Sequence, residues 1–292
     1  MDKTTSEKFQ LNPLPKKTFE IIVKVPFSDI KKAQDSAVAE EKEKIEIKGF
    51  RKGHAPDNMV RDEIGEKKLL ELTLDKILSD LYKNATAHFN LKPIVSPKVE
   101  LVSAKEGEDW EIKFTTCEEP EVVLGDYKKE LIKVKPAVKI WTPDEKATKK
   151  DEEEKEDERG KKINAYLDWL TNNIKLEIGD LLVEDEVNHK LAGLLEQIQK
   201  LGLTLDQYLA SAGKKPEEIR NDYKVEAEKT LKMEFILGKI AEDEKVTISP
   251  EEIEKAISSA PTDADKKALE NQKYFLAVLL RRQKTLDFLA QI

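Results

Sequence analysis

The stretch Gly49-Phe50-Arg51-Lys52-Gly53-His54-Ala55-Pro56 interrupts the helical periodicity in the first third of this chain. Two glycines and a proline within eight residues disfavour both helix and strand, so the stretch is predicted to be a loop. An aromatic ring at a loop tip beside cations favours a partner that offers negative charge and an apolar pocket. The alternative is a plain connection between helices, in which the glycines make the turn and Pro56 starts the next helix.

The segments on either side of the loop predict a compact α+β domain over residues 1–135. A helix is expected from Ser28 to about Glu46. A second amphipathic helix follows the loop and ends near Asn90, because apolar residues recur there at helical spacing. β-branched and aromatic residues predict short strands, and these are Thr18–Val25, Lys98–Val102, Trp110–Cys117 and Glu121–Leu124.

Residues 136–162 have a different composition and are predicted to be a charged linker or helix. Thr142-Pro143-Asp144-Glu145 is a capping box with proline at the first helical position. Sixteen of the nineteen residues from Asp144 to Lys162 are charged. A helix that is polar all round has no face to bury, so the segment is either a solvated helix or a flexible linker.

Residues 163–292 predict an elongated all-α domain, which makes the chain mainly helical. Apolar residues recur there at helical spacing, and the last helix is expected over about Asp263–Ile292. The other helix boundaries are marked by breaking or capping residues, namely Gly202, Thr204 with Gln207, Pro216 and the capping box Ser249-Pro250-Glu251-Glu252.

Composition narrows the class of protein. Charged residues make up 38% of the 292 residues and the net charge is −8, which argues against a general nucleic-acid binder. The single Cys117 fits a reducing compartment. Met1 to Pro15 has no apolar signal-peptide core, and the longest apolar run, Tyr274 to Leu280, is too short to span a bilayer. We therefore expect a cytoplasmic protein with no membrane partner.

The sequence offers little for catalysis. It contains no phosphate-binding G-x-x-x-x-G-K-[ST] motif, no G-x-S-x-G nucleophile elbow and no dinucleotide fingerprint. His54, His88 and His189 are far apart in the sequence, and with one cysteine they give little basis for a metal site. The prediction is that the protein is not an enzyme, with no catalytic residues, no metal and no cofactor.

Gly49 to Pro56 resembles the GFRxGxxP signature of the trigger factor family, the bacterial ribosome-associated chaperones. The order of strand, helix, loop, long helix and small sheet is similar to that family's ribosome-binding domain. Asn173 to Ile178 running into Leu182 to Val187 resembles the helix junction that opens the family's C-terminal domain, and Val246 to Ile253 resembles a later stretch of it. The resemblance covers nearly the whole chain.

This resemblance implies partners and site residues. The loop would dock on the ribosome beside the exit tunnel, against a large-subunit protein and rRNA, and the helical domain would receive unfolded nascent polypeptides. A homodimer off the ribosome is left open. The family often has lysine where this chain has His54. The ribosome-binding residues implied are Gly49, Phe50, Arg51, Lys52, Gly53, His54 and Pro56.

The resemblance stops at one feature of the family. Its members usually carry an FKBP-like prolyl isomerase domain between the linker and the C-terminal helices, where this chain has only the charged segment. A domain needs at least roughly 50 residues and an apolar core, so no isomerase activity is expected.

The leading hypothesis is an ATP-independent chaperone that docks on the ribosome and shields nascent chains during folding and export. The alternative is a ribosome assembly or RNA-associated factor that uses the same loop to reach one defined partner. A periplasmic chaperone away from the ribosome shares the helical architecture, but the absence of a signal peptide counts against it.

Overall fold

The computed structural model describes residues 8–105, 107–134 and 151–292. These residues form two compact units. The first comprises the described residues up to Glu119 together with Gly179–Asp185, and the second comprises those of Pro120–Ile178 together with Glu186–Ile292. The capping box predicted at residues 142–145 lies outside the described residues, as does most of the predicted linker. The division into three regions therefore stays a prediction.

The first unit is built on a four-stranded antiparallel sheet. Its strands are β1 (Phe9–Leu14), β2 (Thr18–Val25), β3 (Lys98–Ser103) and β4 (Trp110–Cys117), in the order β1-β2-β4-β3. The predictions of β2 and β4 are confirmed at both ends, and β3 extends one residue further than expected.

Alternation along the two central strands explains how the sheet forms. Ile21 pairs with Phe114, and Val23 pairs with Ile112. All four side chains are fully buried, whereas the residues between them in each strand are more exposed. Successive side chains of a strand point to opposite faces, so this pattern buries one face of the sheet.

Three helices complete the first unit: α1 (Phe27–Lys42), α2 (Asp57–Ile64) and α3 (Glu66–His88). Leu81 and Ala85 of α3 pack in the core formed by the sheet. Helix α1 ends four residues before the predicted Glu46. Pro26 holds the N-cap position of that helix, two residues before the expected start at Ser28.

The second unit is helical among its described residues. Its core joins Leu170, Ile236, Ile240 and Leu289 from three of its helices. No helix in the described part of the chain is long and apolar enough to cross a bilayer. The helices whose residues lie wholly or largely in this unit are α4 (Tyr127–Leu131), α5 (Asp151–Asn173), α6 (Asp180–Lys200), α7 (Leu205–Ala212), α8 (Pro216–Asp243), α9 (Pro250–Ser258), α10 (Asp263–Asn271) and α11 (Lys273–Ala290).

Two of the predicted helix starts are confirmed by their capping hydrogen bonds. The Thr204 hydroxyl accepts a hydrogen bond from the Gln207 amide at 3.3 Å, and the Ser249 hydroxyl accepts one from the Glu252 amide at 3.3 Å. In both cases the side chain of the third helical residue accepts in return from the cap's backbone amide. These are reciprocal capping boxes, which satisfy amides that the helix leaves unpaired.

Two predictions are wrong. Glu121–Leu124 is not a strand, because Val122 and Leu124 pack against the helical core of the second unit and the segment joins no sheet. The last helix, expected over Asp263–Ile292, is two helices that break at Gln272, where φ is −117° and ψ is 30°. Strand β1 is an element that the sequence patterns do not predict.

Candidate functional site

The predicted loop at residues 49–56 is confirmed. It belongs to the connection between the end of α1 at Lys42 and the start of α2 at Asp57, and it is neither helix nor strand. Pro56 is the N-cap residue of α2. A proline just before a helix has a fixed φ and no amide that would need a partner, so it ends the loop cleanly.

The loop is held in place by backbone hydrogen bonds and by a small core. The Gly53 amide donates to the Lys42 carbonyl at 3.1 Å, which ties the loop back to the end of α1. Ile47 and Ala55, on either side of the tip, are buried with residues of α1 and α2. The tip is therefore a short projection from an anchored base.

Position 53 requires glycine for two reasons, which are its backbone conformation and the lack of space for a side chain. Its φ is +81°, in a region that side-chain-bearing residues rarely occupy. A Cβ there would lie 2.8 Å from Oε1 of Glu43. Gly49 also has a positive φ of +92°, but open space surrounds it.

The tip exposes apolar surface. Phe50 is 39% exposed, and Met59, in the first turns of α2, is 37% exposed. Exposed large apolar side chains occur singly on most proteins. An aromatic ring on an anchored loop differs from those, because the hydrogen-bonded base limits its movement before a partner binds.

The cations of the tip form no ion pairs with the part of the chain that the structure describes. Among the described residues, the side chains of Lys48, Arg51 and Lys52 have no hydrogen bond or ion pair, and no acidic residue stands between Ile47 and Asp57. Three positive charges are thus available to a partner.

The base of the loop behaves differently. Lys42 Nζ lies 2.8 Å from Oδ1 of Asp57, and Arg61 forms an ion pair with Asp35 at 2.6 Å. The hydrogen bond from the Lys42 ammonium lowers the pKa of the Asp57 carboxyl below its usual value. Charges at the base therefore fix the loop, whereas those at the tip stay available.

All seven sequence-predicted site residues lie in this loop, and all except the half-buried Gly53 are exposed. Sequence reasoning missed Lys42, Glu43 and Asp57 at the base of the loop, and the exposed Met59 in the first turn of α2. The position of Asp57 directly after Pro56 was the one available signal, since an acidic residue in a first helical turn is favoured by the helix dipole.

The remaining chemistry of the chain is sparse. Within the described residues, no group of three His, Cys, Asp or Glu side chains could hold a metal ion. Cys117 is buried, and burial, with a smaller effect of Asp185, raises the pKa of its thiol to about 11. Such a thiol is a poor nucleophile at neutral pH.

The second unit exposes apolar side chains at many separate places. Leu201, Val225 and Tyr274 are 73%, 70% and 86% exposed. Two shallow apolar grooves also open on this unit, one between α8 and α11 and the other among α6, α7 and α8. Their volumes are about 380 and about 320 Å³.

Comparison with protein-family models gives two matches. Residues 7–156, just over half of the chain, match the model described as bacterial trigger factor protein, and residues 145–290 match the model of its C-terminus. The two matches overlap at residues 145–156. No stretch of chain lies between them that could hold an inserted domain.

Curated relatives align with part of this chain. Trigger factor of Streptococcus agalactiae serotype Ia is 38% identical over 100 residues, which are 34% of this chain and 23% of the relative. Trigger factor of Streptococcus uberis is 35% identical over 127 residues, 44% of this chain and 29% of the relative. These alignments span about a quarter of the length of the curated relatives.

The fold is also similar to a solved structure reported under "Promiscuous Substrate Recognition in Folding and Assembly Activities of the Trigger Factor Chaperone". The match has a TM-score of 0.63 and 18% identity, and covers 97% of this chain and 99% of that one. At this identity the likeness concerns the fold alone. The family models decide the relationship, and by them the chain belongs to the trigger factor family.

Proposed function

We propose that this protein is an ATP-independent chaperone that docks on the ribosome near the exit tunnel and shields nascent polypeptides. The observation that carries the docking step is the loop at residues 49–56, with its exposed Phe50 and unpaired cations on an anchored base. The residues assigned to docking are Gly49, Phe50, Arg51, Lys52, Gly53, His54 and Pro56.

The chemistry of the tip suits a surface made of protein and RNA. Lys48, Arg51 and Lys52 have no partners within the described part of the chain, so they can pair with rRNA phosphates or carboxylates of a ribosomal protein. Phe50 can fill an apolar pocket beside them. The charge is local, which reconciles contact with RNA and a net charge of −8.

The holding step is supported by how apolar surface is distributed on the second unit. Exposed apolar residues are scattered over α6, α8 and α11, and the two grooves are open rather than enclosed. Weak contacts of this kind accept many sequences and release them without a fuel molecule. The absence of a P-loop motif from the sequence agrees with this mode of action.

We further infer that the protein acts in the cytoplasm and catalyses no reaction. Prolyl isomerase activity is not assigned, because the two family matches adjoin without an inserted domain. The partners proposed are the large ribosomal subunit, through a protein and rRNA, and unfolded nascent chains, with self-association off the ribosome left open.

The docking assignment is tested by replacing Phe50, Arg51 and Lys52 with alanine. We expect co-sedimentation with ribosomes to be lost while the circular dichroism spectrum and thermal unfolding stay unchanged, since all three side chains are exposed. Wild-type binding should weaken as salt rises.

A matched control removes the same chemistry elsewhere in the first unit. Ile94 is 44% exposed, and Lys31 and Lys83 are exposed with no side-chain hydrogen bond or ion pair to any described residue. The triple variant Ile94→Ala, Lys31→Ala, Lys83→Ala should bind ribosomes as the wild type does. Equal binding by the loop variant and the wild type would overturn the docking assignment.

Client breadth separates this proposal from its alternative, a ribosome assembly or RNA-associated factor with one defined partner. The protein should suppress the aggregation of several unrelated unfolded proteins in the absence of ATP. Suppression of none of them would reject the chaperone function and favour the alternative.

A further inference from the structure

We propose that Glu43 sets the specificity of the docking loop, because its carboxylate opposes RNA phosphate beside the cations of the tip. The proposal rests on the proposed docking function and adds to it a residue that weakens contact with RNA in general. It depends on three observations, which are the place of the Glu43 carboxylate, its lack of a cationic partner and its unfavourable position at the end of a helix.

The Glu43 carboxylate lies against the loop. Its Oε1 and Oε2 atoms are 2.8 and 2.9 Å from the position that a Cβ of Gly53 would occupy. Gly53 directly follows Lys52 and belongs to the residues assigned to docking. An anion that contacts the loop at Gly53 therefore meets a second negative charge close by, which opposes its binding.

No cation neutralises this carboxylate within the described part of the chain. The two lysines that flank Glu43 in the sequence pair with other carboxylates. The Lys42 ammonium lies 2.8 Å from Oδ1 of Asp57. The Lys44 ammonium lies 2.8 Å from Oε1 of Glu41. Glu43 is exposed and its side chain has no hydrogen bond or ion pair to any described residue, so its charge acts on whatever approaches the loop.

The fold gives no reason for a carboxylate at this position. Glu43 is the C-cap residue of α1, where the helix dipole favours a cation over an anion. A glutamine has nearly the same size and would remove both the unfavourable dipole interaction and the unpaired charge. The carboxylate therefore does not stabilise the loop, and its effect falls on the partner.

The balance of charge on the loop then decides which partner is bound. Lys48, Arg51 and Lys52 attract phosphate from any RNA, whereas Glu43 reduces that attraction at short range. A ribosomal site that also offers an apolar pocket for Phe50 compensates for the lost attraction, and RNA alone does not. Glu43 thereby favours the complete docking site over other RNA.

The test compares Glu43→Gln with the wild type in the full chain, with purified ribosomes and a short RNA duplex of unrelated sequence as the two probes. We expect Glu43→Gln to bind the duplex about fivefold more tightly, as for the removal of one like charge at about 4 Å in water. The gain for ribosomes should be about twofold, because only part of that contact is RNA. The preference for ribosomes over the duplex should therefore fall.

Salt and a control variant separate the charge of Glu43 from other effects. The difference between Glu43→Gln and the wild type should shrink between about 50 and about 200 mM salt, because ions screen it. Glu119→Gln makes the same change of net charge in the first unit, at an exposed residue whose side chain has no hydrogen bond or ion pair to the described residues. It should bind both probes as the wild type does. Thermal unfolding checks that both variants fold.

The outcomes separate this proposal from the function beneath it. If alanine at positions 50–52 abolishes ribosome binding but Glu43→Gln binds the duplex no more tightly than Glu119→Gln, the assignment of Glu43 fails and docking stands. Equal gains for both probes would show that Glu43 sets affinity without specificity, which also overturns the proposal.

Two further results are decisive. Weaker binding of ribosomes by Glu43→Gln would mean that the partner places a cation beside Glu43, and the proposal would be overturned. If the alanine variant still binds ribosomes while Glu43→Gln gains affinity for the duplex alone, the docking assignment fails and the effect of Glu43 on RNA is supported.

Discussion

The two units of this protein expose apolar surface in contrasting ways. In the first unit, one loop combines the exposed ring of Phe50 with three cations, and its base is tied to α1 by the hydrogen bond from Gly53 to Lys42, while other apolar side chains such as Val102 are exposed outside that loop. The second spreads exposed apolar side chains over several helices and leaves two grooves unfilled.

This difference has a physical basis. The hydrogen bond from Gly53 and the small core around Ile47 and Ala55 restrict the loop to a narrow set of conformations, which favours one defined partner. Helices meet along stripes, so residues outside the stripe remain exposed without destabilising the fold. The first arrangement suits a specific anchor, and the second suits contacts with many sequences.

Core truncation tests whether the two units are separate folding entities, and has the largest expected effect. Phe114→Ala in the first unit should cost about 3–5 kcal/mol, because its side chain is fully buried. Two tryptophans serve as fluorescence reporters: Trp110 lies in the same core, and Trp169 packs against the core of the second unit. Each is measured in a variant in which it is the single tryptophan, with Trp141 and the other reporter replaced by phenylalanine.

The denaturation midpoint reported by Trp110 should fall while that reported by Trp169 changes little. Ile240→Ala, in the core of the second unit, should give the opposite pattern. Equal shifts at both reporters in both variants would mean that the units unfold together, and the comparison between them would fail.

Gly53→Ala tests the rigidity of the loop. We expect a loss of about 1–3 kcal/mol in unfolding free energy, because a positive φ and contact with Glu43 both oppose a side chain. Ribosome co-sedimentation should also weaken. Adding Glu43→Ala should recover part of the loss, whereas Gly49→Ala, which meets no neighbour, should cost less. Identical losses for the two glycine variants would argue that the contact with Glu43 has no effect.

Gly238→Ala tests whether the glycine in the groove between α8 and α11 lowers the stability of the second unit. Both it and Gly193→Ala should raise the unfolding free energy by about 0.5–1 kcal/mol, since each replaces a glycine inside a helix with open space around it. Chemical denaturation measures the gain. A loss of stability at Gly238 would show that this glycine serves packing, contrary to the comparison.

Acid should weaken one contact of the second unit by a small amount. Glu244 accepts hydrogen bonds from Lys128 at 2.6 Å and from the Tyr127 hydroxyl at 3.0 Å, and the Lys128 ammonium chiefly lowers the pKa of this carboxyl. A depressed folded-state pKa adds stability above the unfolded value of about 4.3. That stability is lost as the pH falls through the lower folded-state value.

The expected effect is less than about 1 kcal/mol, because the contact is near the surface. Melting temperatures between pH 7 and pH 3 should fall less steeply in Glu244→Gln than in the wild type. Glu228→Gln, at an exposed position of α8, is the control. Parallel curves for wild type and Glu244→Gln would contradict the assigned contact.

Where alternation was strong, the strands could be predicted from the sequence. Along β2 and β4, apolar residues recur at every second position and form the buried face of the sheet. Both strands were predicted with correct ends. Strand β1 was missed because Pro13 lies within it, which an edge strand tolerates. The alternation of Val122 and Leu124 was misleading, since those residues pack against helices and not in a sheet.

Features of the helices and of the site that depend on tertiary contacts could not be predicted from the sequence. The break between α10 and α11 at Gln272 contains no glycine or proline that would mark it. The loop was recognisable from its composition, but its support by Lys42 and Asp57, fifteen residues apart, was not. The groove depends on α8 lying against α11, which periodicity along either helix does not specify.

The first unit is not continuous in the sequence, and this affects how such a chain can be inherited or rearranged. Gly179 lies so close to Thr18 that an added Cβ would be 3.2 Å from its hydroxyl oxygen, and Lys16 pairs with Asp180 at 2.7 Å. A single recombination event after Glu119 would separate the sheet from these residues. Exchange of the complete first unit between related genes therefore requires two further crossovers, one on each side of Gly179–Asp185. Such an exchange is rarer than the swap of a terminal domain that is continuous in sequence.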